Sequence, residues 1–212
     1  MSRYGKIAAG LIAVWFVAVF SASAMHLFEN QANRLGLGVA GAALAPMIVF
    51  SVWFAASEEF RRFAFSLNPR VLTSVQAWRI VGFTFVLLEA RNVLPAIFAW
   101  PAGYGDMFIG ATAGFAAWKL AEPAHRGSFI FWQALGILDL VTAVSLGTTA
   151  GLLDPQGPSM SAMTVLPLSL IPTFLVPLFL MLHVICIAQA RKWKVASEAR
   201  RPAAGALQHP AV

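Results

Sequence analysis

Apolar residues form six long runs along this chain, and short polar segments separate them. Each run is close to the ~20 residues that a helix needs to cross ~30 Å of hydrocarbon at a rise of ~1.5 Å per residue. The pattern therefore predicts an all-α integral membrane protein, a six-transmembrane-helix bundle that forms one domain over residues 1–194. The predicted spans are residues 7–28, 36–56, 73–93, 104–120, 128–151 and 163–190.

The basic residues fall between alternate pairs of these runs. If all six runs span the membrane, twelve of the fifteen Lys and Arg residues share one side, and only Arg34 and Arg91 lie on the other. Cytoplasmic loops carry an excess of basic residues, so this bias places the N-terminus and the C-terminus in the cytoplasm. The small size and alanine-rich style of the chain indicate a bacterial inner membrane. The twelve are Arg3, Lys6, Arg61, Arg62, Arg70, Lys119, Arg126, Arg191, Lys192, Lys194, Arg200 and Arg201.

The composition excludes several other classes. Hydrophobic residues make up 59% of the chain and charged residues 11%, against ~45–50% and ~25% in a soluble domain. The net charge of +6 does not indicate nucleic acid, because orientation and anionic lipid headgroups already account for juxtamembrane basic residues. The single cysteine, Cys186, excludes an internal disulfide and multi-cysteine metal sites. No metal or other cofactor is predicted.

The two ends of the chain need separate interpretation. Arg3 and Lys6 precede an apolar stretch, and Ala22-Ser23-Ala24 fits a signal-peptidase site, so cleavage of residues 1–24 would leave five spans. The apolar character continues to Phe28, which favours a retained first helix. Residues 195–212 are rich in Ala, Arg and Pro and are predicted to form a disordered cytoplasmic tail.

Three charged or titratable side chains lie at membrane depth. Arg79 is six residues inside the third predicted helix, Asp139 is close to the middle of the fifth, and His183 is in the inner third of the sixth. A charge near the bilayer centre costs at least ~2.5–3.5 kcal/mol and is usually paired. We therefore expect the long Arg79 side chain to meet Asp139. His183 or Gln133 would complete the hydrogen bonds.

Gln76 lies three residues before Arg79 on the same predicted helix face, and Phe83 continues that stripe. Three interpretations of the polar group remain open. It is a buried ion pair that only fixes helix register, or Arg79 extends to the cytoplasmic interface and pairs with nothing. In the third interpretation, Asp139 and His183 relay protons or cations.

The segment around residues 93–105 is the most unusual part of the sequence. Pro95, Pro101, Gly103 and Gly105 argue against a regular helix, yet the segment is too apolar for a solvated loop. These two constraints predict a broken or re-entrant segment on the outer side, with its backbone groups satisfied by protein or cavity water.

Asp106 follows this segment and would open the fourth helix. One interpretation makes it the N-cap or a first-turn acid. The other places it at an outer mouth with Glu89, where an acidic cluster would attract a cation and Arg91 would be the internal counter-charge.

Small residues and prolines complete the pattern. Gly110 and Gly114 form a Gly-x-x-x-Gly pair that permits close helix contact within the bundle or between protomers, and Gly136 allows close packing beside Asp139. The sixth run contains prolines at five-residue intervals, which predict a bent helix. They are Pro167, Pro172 and Pro177.

The leading functional hypothesis is a small multi-pass membrane protein that binds or moves a small solute or ion through a buried polar path. The path would use Arg79, Asp139 and His183. A second hypothesis is a non-transporting scaffold or accessory subunit, with partners in a homo-oligomer or a larger membrane complex. A third is a membrane enzyme that acts on a lipid-soluble substrate near Arg79, although no known catalytic motif is present.

Overall fold

The computed structural model describes residues 3–29 and 36–193, and this part of the chain is all-helical with no β-strand. The predicted all-helical class is confirmed, and five helices in this part of the chain are long and apolar enough to cross a membrane. They are Arg3–Ala24, Leu37–Ala56, Pro69–Glu89, Pro123–Leu153 and Ile171–Arg191. The predicted tail over residues 195–212 lies outside the described residues.

Residues 3–29 and 36–193 contain eight α-helices, joined by shorter helical turns. The α-helices are α1 (Arg3–Ala24), α2 (Leu37–Ala56), α3 (Glu58–Ser66), α4 (Pro69–Val75), α5 (Phe83–Glu89), α6 (Ala96–Phe115), α7 (Arg126–Leu153) and α8 (Val176–Arg191). The 3₁₀ segments are Gln76–Gly82, Pro123–His125 and Met160–Thr164, and the π-helical turns are Ala116–Leu120 and Ile171–Leu175.

Helix α6 differs from the prediction. It begins at Ala96, eight residues earlier than expected, and contains Pro101 in its interior. The prediction of a broken segment is therefore wrong for residues 96–105, and only the turn after Glu89 is irregular. Pro101 removes one backbone donor, a loss that neighbouring helices can compensate inside a membrane protein. The two glycines that follow, Gly103 and Gly105, are sites of contact with other helices.

The third long helix contains a central 3₁₀ segment, Gln76–Gly82, between α4 and α5. A 3₁₀-helix has three residues per turn, so residues three apart align along one face. Every third residue of this helix is buried, in the series Thr73, Gln76, Arg79, Gly82 and Phe85. The expected stripe through Gln76 and Arg79 is confirmed, but its continuation through Phe83 is wrong because that side chain is exposed.

The last long helix begins at Ile171, later than the predicted residue 163. Residues 160–170 before it form short turns that are largely buried: Met160, Met163, Thr164 and Ser169 are each at most 3% exposed. An irregular apolar segment thus does occur in the protein, but it precedes the last helix and not the fourth. Pro172 lies at the start of this long helix, where its missing backbone donor costs little. Pro177 lies inside the same helix, directly after the π turn.

Helix α6 is the centre of the bundle. It packs against the 3₁₀ segment, α5 and α7, while α7 packs against α8. Side chains from α5, α6, α7 and the 160–170 segment form one apolar cluster around Phe98, Ala99 and Met160. Helices α1 and α2 lie at the periphery, with most of their surface exposed.

The basic segments meet at one end of the bundle, which we call the basic end. Gln189 of α8 donates two hydrogen bonds of 2.9 Å, one to the carbonyl of Ala64 in α3 and one to the carbonyl of Leu67 just after α3. Arg126 at the start of α7 donates to the carbonyl of Arg191 at the end of α8. The turn after Glu89 and the 154–170 connection therefore lie at the opposite end.

Candidate functional site

Arg79 is the centre of a buried ionic cluster. Its side chain is 1% exposed, and its Nε donates to Asp106 Oδ1 of α6 at 2.6 Å. Its Nη2 donates to Asp139 Oδ2 of α7, and its Nη1 donates to the carbonyl of Gly136. One guanidinium is thus held between two carboxylates from two different helices. We call Arg79, Asp106, Asp139 and His183 the Arg79 cluster.

The cluster lies near the middle of each helix that contributes to it. Arg79 is ten residues from both Pro69 and Glu89, the ends of the third long helix. Asp139 is thirteen residues after Arg126 and fourteen before Leu153. Asp106 is ten residues after Ala96, about 15 Å along α6. The charges therefore lie close to half-depth in the bundle.

A chain of neutral hydrogen bonds continues from Arg79 through His183. The His183 side chain is fully buried, and its Nε2 is 3.3 Å from Arg79 Nη1. A guanidinium can only donate, so Nε2 is the acceptor and the imidazole proton is on Nδ1. Nδ1 then donates to Gln133 Oε1 at 2.5 Å, and Gln133 Nε2 donates to Thr73 Oγ1 at 3.0 Å.

Thr73 extends this chain toward the basic end. It lies four residues after Pro69, about 6 Å along the helix. Its hydroxyl accepts from Gln133 and lies 3.9 Å from the Cys186 thiol. The buried polar groups therefore reach from the middle of the bundle almost to the basic end.

The cluster has one more acidic group than basic groups. With both carboxylates ionised and His183 neutral, its formal charge is −1. In a low-dielectric interior an uncompensated charge is unfavourable, so the arrangement can accept one proton or one small cation. Among the described residues, no group of three or more His, Cys, Asp or Glu side chains is placed to hold a metal ion.

Glycines create the space that the cluster occupies. A Cβ at Gly105 would lie 2.6 Å from Asp139 Cγ, and a Cβ at Gly136 would collide with the His183 ring. Gly82 approaches Asp106 in the same way, and Gly110 packs against the backbone between Arg79 and Ile80. Small residues allow membrane helices this close approach. Gly105, which indicated a helix break in the sequence, is thus a contact point that lets α6 approach Asp139.

A small cavity of about 30 Å³ lies beside Asp106, on the side that faces the opposite end of the bundle. Its walls are apolar and include Phe85, Phe98, Met160 and Met163, and Asp106 is the only charged residue that lines it. A volume of this size holds about one or two water-sized molecules. The cavity and the His183 chain therefore approach the Arg79 cluster from opposite directions.

The structure brings together four of the five predicted path residues. Arg79 contacts both Asp139 and His183 as expected, and Gln133 completes the chain. Gln76 lies buried on the same face as Arg79 and donates to the Phe179 carbonyl at 3.4 Å. The alternative in which Arg79 extends to the interface is wrong, since this residue is 3% exposed and fully paired.

The predicted outer mouth is wrong for Asp106. This residue is neither an N-cap nor near the end of α6 but lies level with Gly82, seven residues before Glu89. Arg91 is exposed in the turn after α5. No ion pair in the described part of the chain joins Glu89 or Arg91 to Asp106. The error follows from placing the start of α6 eight residues too late.

Sequence reasoning missed Asp106 as a partner of Arg79, and it missed Thr73 and Gly105. For Thr73, the available signal was its three-residue spacing from Gln76 and Arg79. Of the predicted packing glycines, Gly110 and Gly136 are in close contact, whereas Gly114 faces open space in this chain.

The two glycine environments give a matched pair of variants. We expect Gly105→Ala to lower the stability by about 1–3 kcal/mol, because the added methyl overlaps the Asp139 carboxylate. Gly114→Ala, on the same helix, is expected to be neutral or slightly stabilising, since alanine favours helix and nothing is within reach. The midpoint of thermal unfolding in detergent measures both. Equal midpoints would contradict the close packing at Gly105.

Removal of the central cation is expected to be severe. Arg79→Gln leaves two buried carboxylates without a counter-charge, which costs about 3–5 kcal/mol. Arg62→Gln removes the same charge at an exposed position that pairs with Glu58 at 3.5 Å, and this change is expected to stay within about 1 kcal/mol. Thermal unfolding of both variants, side by side, provides the comparison. A midpoint for Arg79→Gln close to that of Arg62→Gln would contradict the buried pairing.

Comparison with known proteins places this arrangement in a family. No curated protein and no solved structure matches the chain. One family model, described as "Domain of unknown function (DUF8737)", matches residues 32–191. This range covers more than half of the chain and includes every residue of the Arg79 cluster. The chain belongs to the family described as Domain of unknown function (DUF8737).

Proposed function

We propose that this protein binds a proton or a small cation at the Arg79 cluster and moves it across the membrane. The observation that carries the proposal is the single guanidinium between two carboxylates, Asp106 and Asp139, at half-depth in the bundle. A purely structural pair needs only one carboxylate for each cation. The second carboxylate gives the cluster the capacity to hold one additional positive charge.

The position of the cluster supports an exchange of that charge. Buried charges at membrane depth are expensive and usually mark ion or proton pathways. Asp106 and Asp139 are partly accessible, with 16% and 13% of their side chains exposed, whereas Arg79 is sealed. A proton or cation therefore reaches the carboxylates without displacing the guanidinium from the protein.

Two routes lead to the cluster in this proposal. The apolar cavity admits the ion to Asp106 from the opposite end. From the basic end, the chain Thr73, Gln133 and His183 reaches the cluster by hydrogen bonds and serves a proton only. Its end at Arg79 is closed to transfer in this arrangement, because a guanidinium stays protonated. Neither route is a continuous open pore, so passage requires the helices to shift. The 3₁₀ segment that carries Arg79 is suited to this, because 3₁₀ stretches inside long helices often mark hinges.

We further propose that six helices cross the bilayer, with α6 as the additional span. The continuous helix from Ala96 to Leu120 is 25 residues long, about 37 Å. Its polar residues, including Tyr104 and Asp106, lower its hydropathy below that of the other five. In the bundle, Asp106 is compensated by Arg79. The basic end then faces the cytoplasm, and the protein resides in a bacterial inner membrane with α1 retained.

The scaffold and enzyme hypotheses make different demands on the same residues. In a scaffold, the ionic cluster serves only assembly, so its neutralised variants lose partners or stability while no ion crosses the membrane. An enzyme needs a substrate to reach a reactive group. The cavity beside Asp106 is too small for a lipid-soluble substrate. Ion movement is therefore the hypothesis that the arrangement favours.

Asp139→Asn tests the proposal with little risk to folding. The variant leaves one carboxylate, Asp106, for Arg79, so the buried charges balance, but the capacity for an additional cation is lost. Purified protein is reconstituted into vesicles loaded with the pH dye pyranine. A potassium diffusion potential drives proton flux, which the dye reports, and uptake of ²²Na⁺ is measured in parallel. We expect the wild-type ion flux to fall by about tenfold or more, the factor for a lost charged contact of ~1.5–3 kcal/mol.

Glu58→Gln is the matched control, because it removes a carboxylate that is exposed at the basic end. Its flux is expected to equal that of the wild type. If Asp139→Asn does not fold, Asp106→Asn takes its place, since it leaves the other carboxylate with Arg79. Wild-type flux of both ions no greater than in protein-free vesicles would overturn the proposal. Equal flux in the folded aspartate variant and the wild type would do the same.

Cysteine labelling tests the six-span topology. In a Cys186→Ser background, single cysteines replace Asn92 and Gln156 at the opposite end, and Ser66 and Ala124 at the basic end, all exposed positions. An impermeant maleimide added to intact cells is expected to label Asn92→Cys and Gln156→Cys only. Labelling of all four after permeabilisation is the control. Equal labelling of Asn92→Cys and Ala124→Cys in intact cells would mean that α6 does not cross.

A further inference from the structure

An open groove lies on the outer surface of the bundle near the basic end, separate from the Arg79 cluster. It has a volume of about 460 Å³ and runs between the start of α4 and the π turn that follows α6. Its walls include Asn68, Arg70, Val71, Ser74, Trp78 and Trp118. We call it the Arg70 groove.

Arg70 is the only charged residue that lines the groove. Its guanidinium carbon lies 5.6 Å from the centre of the Trp118 ring, in a cation–π contact. Within the described residues, Arg70 takes part in no ion pair. When the flat face of a guanidinium stacks on an aromatic ring, its N–H groups, which lie in the guanidinium plane, stay available as donors. These donors bind phosphate oxygens well.

The rest of the groove is mostly apolar and is open to the surroundings of the bundle. Trp78 is 72% exposed and Trp118 is 68% exposed, and Val71 is also exposed. Trp118 lies two residues before Leu120, the end of its helix, and tryptophan favours the interface between the hydrocarbon and the headgroups. The π turn at Ala116–Leu120 carries Trp118, and such turns occur frequently at functional sites. The groove thus combines one unpaired cation at the interface with apolar walls that continue into the membrane.

We propose that the Arg70 groove binds one anionic phospholipid. The headgroup phosphate contacts the Arg70 guanidinium and the Asn68 Nδ2 group, since Asn68 Oδ1 already accepts from the Arg70 backbone N–H and the Ser74 hydroxyl already donates to the Arg70 carbonyl. An acyl chain lies along Val71 and Trp78. Charge complementarity selects this occupant, because the groove carries a cation and no carboxylate and opens at the basic end of the bundle. Basic groups at this position attract anionic lipids. The proposal uses no residue of the Arg79 cluster, so it stands or falls independently of ion movement.

Native mass spectrometry of the full chain in detergent tests the proposal, with phosphatidylglycerol as the anionic probe and phosphatidylcholine as the neutral one. We expect Arg70→Gln to weaken phosphatidylglycerol binding by about tenfold, the factor for the loss of a hydrogen bond to a charged group. Phosphatidylcholine binding is expected to stay unchanged. Arg62→Gln is the matched control, since it removes an exposed basic-end charge outside the groove, and its effect is expected to stay below about twofold.

Three results would overturn the proposal. Equal weakening by Arg70→Gln and Arg62→Gln would indicate diffuse attraction to the basic end. Equal weakening of the two lipids would indicate that charge does not select the occupant. If millimolar glycerol phosphate displaced bound phosphatidylglycerol as effectively as added phosphatidylglycerol does, the groove would be a site for a free phosphate. The thermal unfolding midpoint in phosphatidylcholine shows whether Arg70→Gln is folded. If this midpoint falls, Trp118→Leu replaces Arg70→Gln in the test, because it keeps the Arg70 charge and removes the ring on which the guanidinium stacks.

Discussion

The need to neutralise Arg79 in an apolar interior is the constraint on which this structure depends. A guanidinium offers donors in a fixed plane and has no acceptor, so its partners must arrive from defined directions. Asp106, Asp139 and the Gly136 carbonyl supply them from α6 and α7, and His183 supplies a further acceptor from α8. Four helices therefore have to meet at one depth, and glycines at the crossing points make this possible.

The departures from regular α-helix follow from the same constraint. The 3₁₀ segment aligns Gln76, Arg79 and Gly82 on one face, where an α-helix would rotate them apart by about 60° at each step. The polar side chains then face the bundle core together while Trp78, their neighbour in sequence, remains exposed. The geometry of this helix thus places polar side chains on its inner face and apolar side chains on its outer face, even where the two are neighbours in sequence.

The two proposed sites share the third long helix but use opposite sides of it. Arg79 points into the bundle and is fully paired, whereas Arg70 stacks on Trp118 at the outer surface and has no acidic partner among the described residues. The chemistry of each arginine is set by its surroundings. In the two proposals, the inner one organises carboxylates around an exchangeable positive charge, and the outer one presents donors to an anionic headgroup.

Although the sequence placed Arg79 too close to one end of its helix, which begins at Pro69 and not at residue 73, it determined the all-helical class, the long apolar helices and the pairing of Arg79 with Asp139. These follow from hydropathy, helix rise and the cost of an unpaired charge, which are local or one-dimensional quantities. It did not determine the role of Asp106, which depends on where α6 begins. That start depends on whether the helix tolerates Pro101 and packs through Gly103 and Gly105, and only contacts with other helices decide this. Tertiary structure alone therefore placed two carboxylates around one arginine, because the acceptors come from different helices.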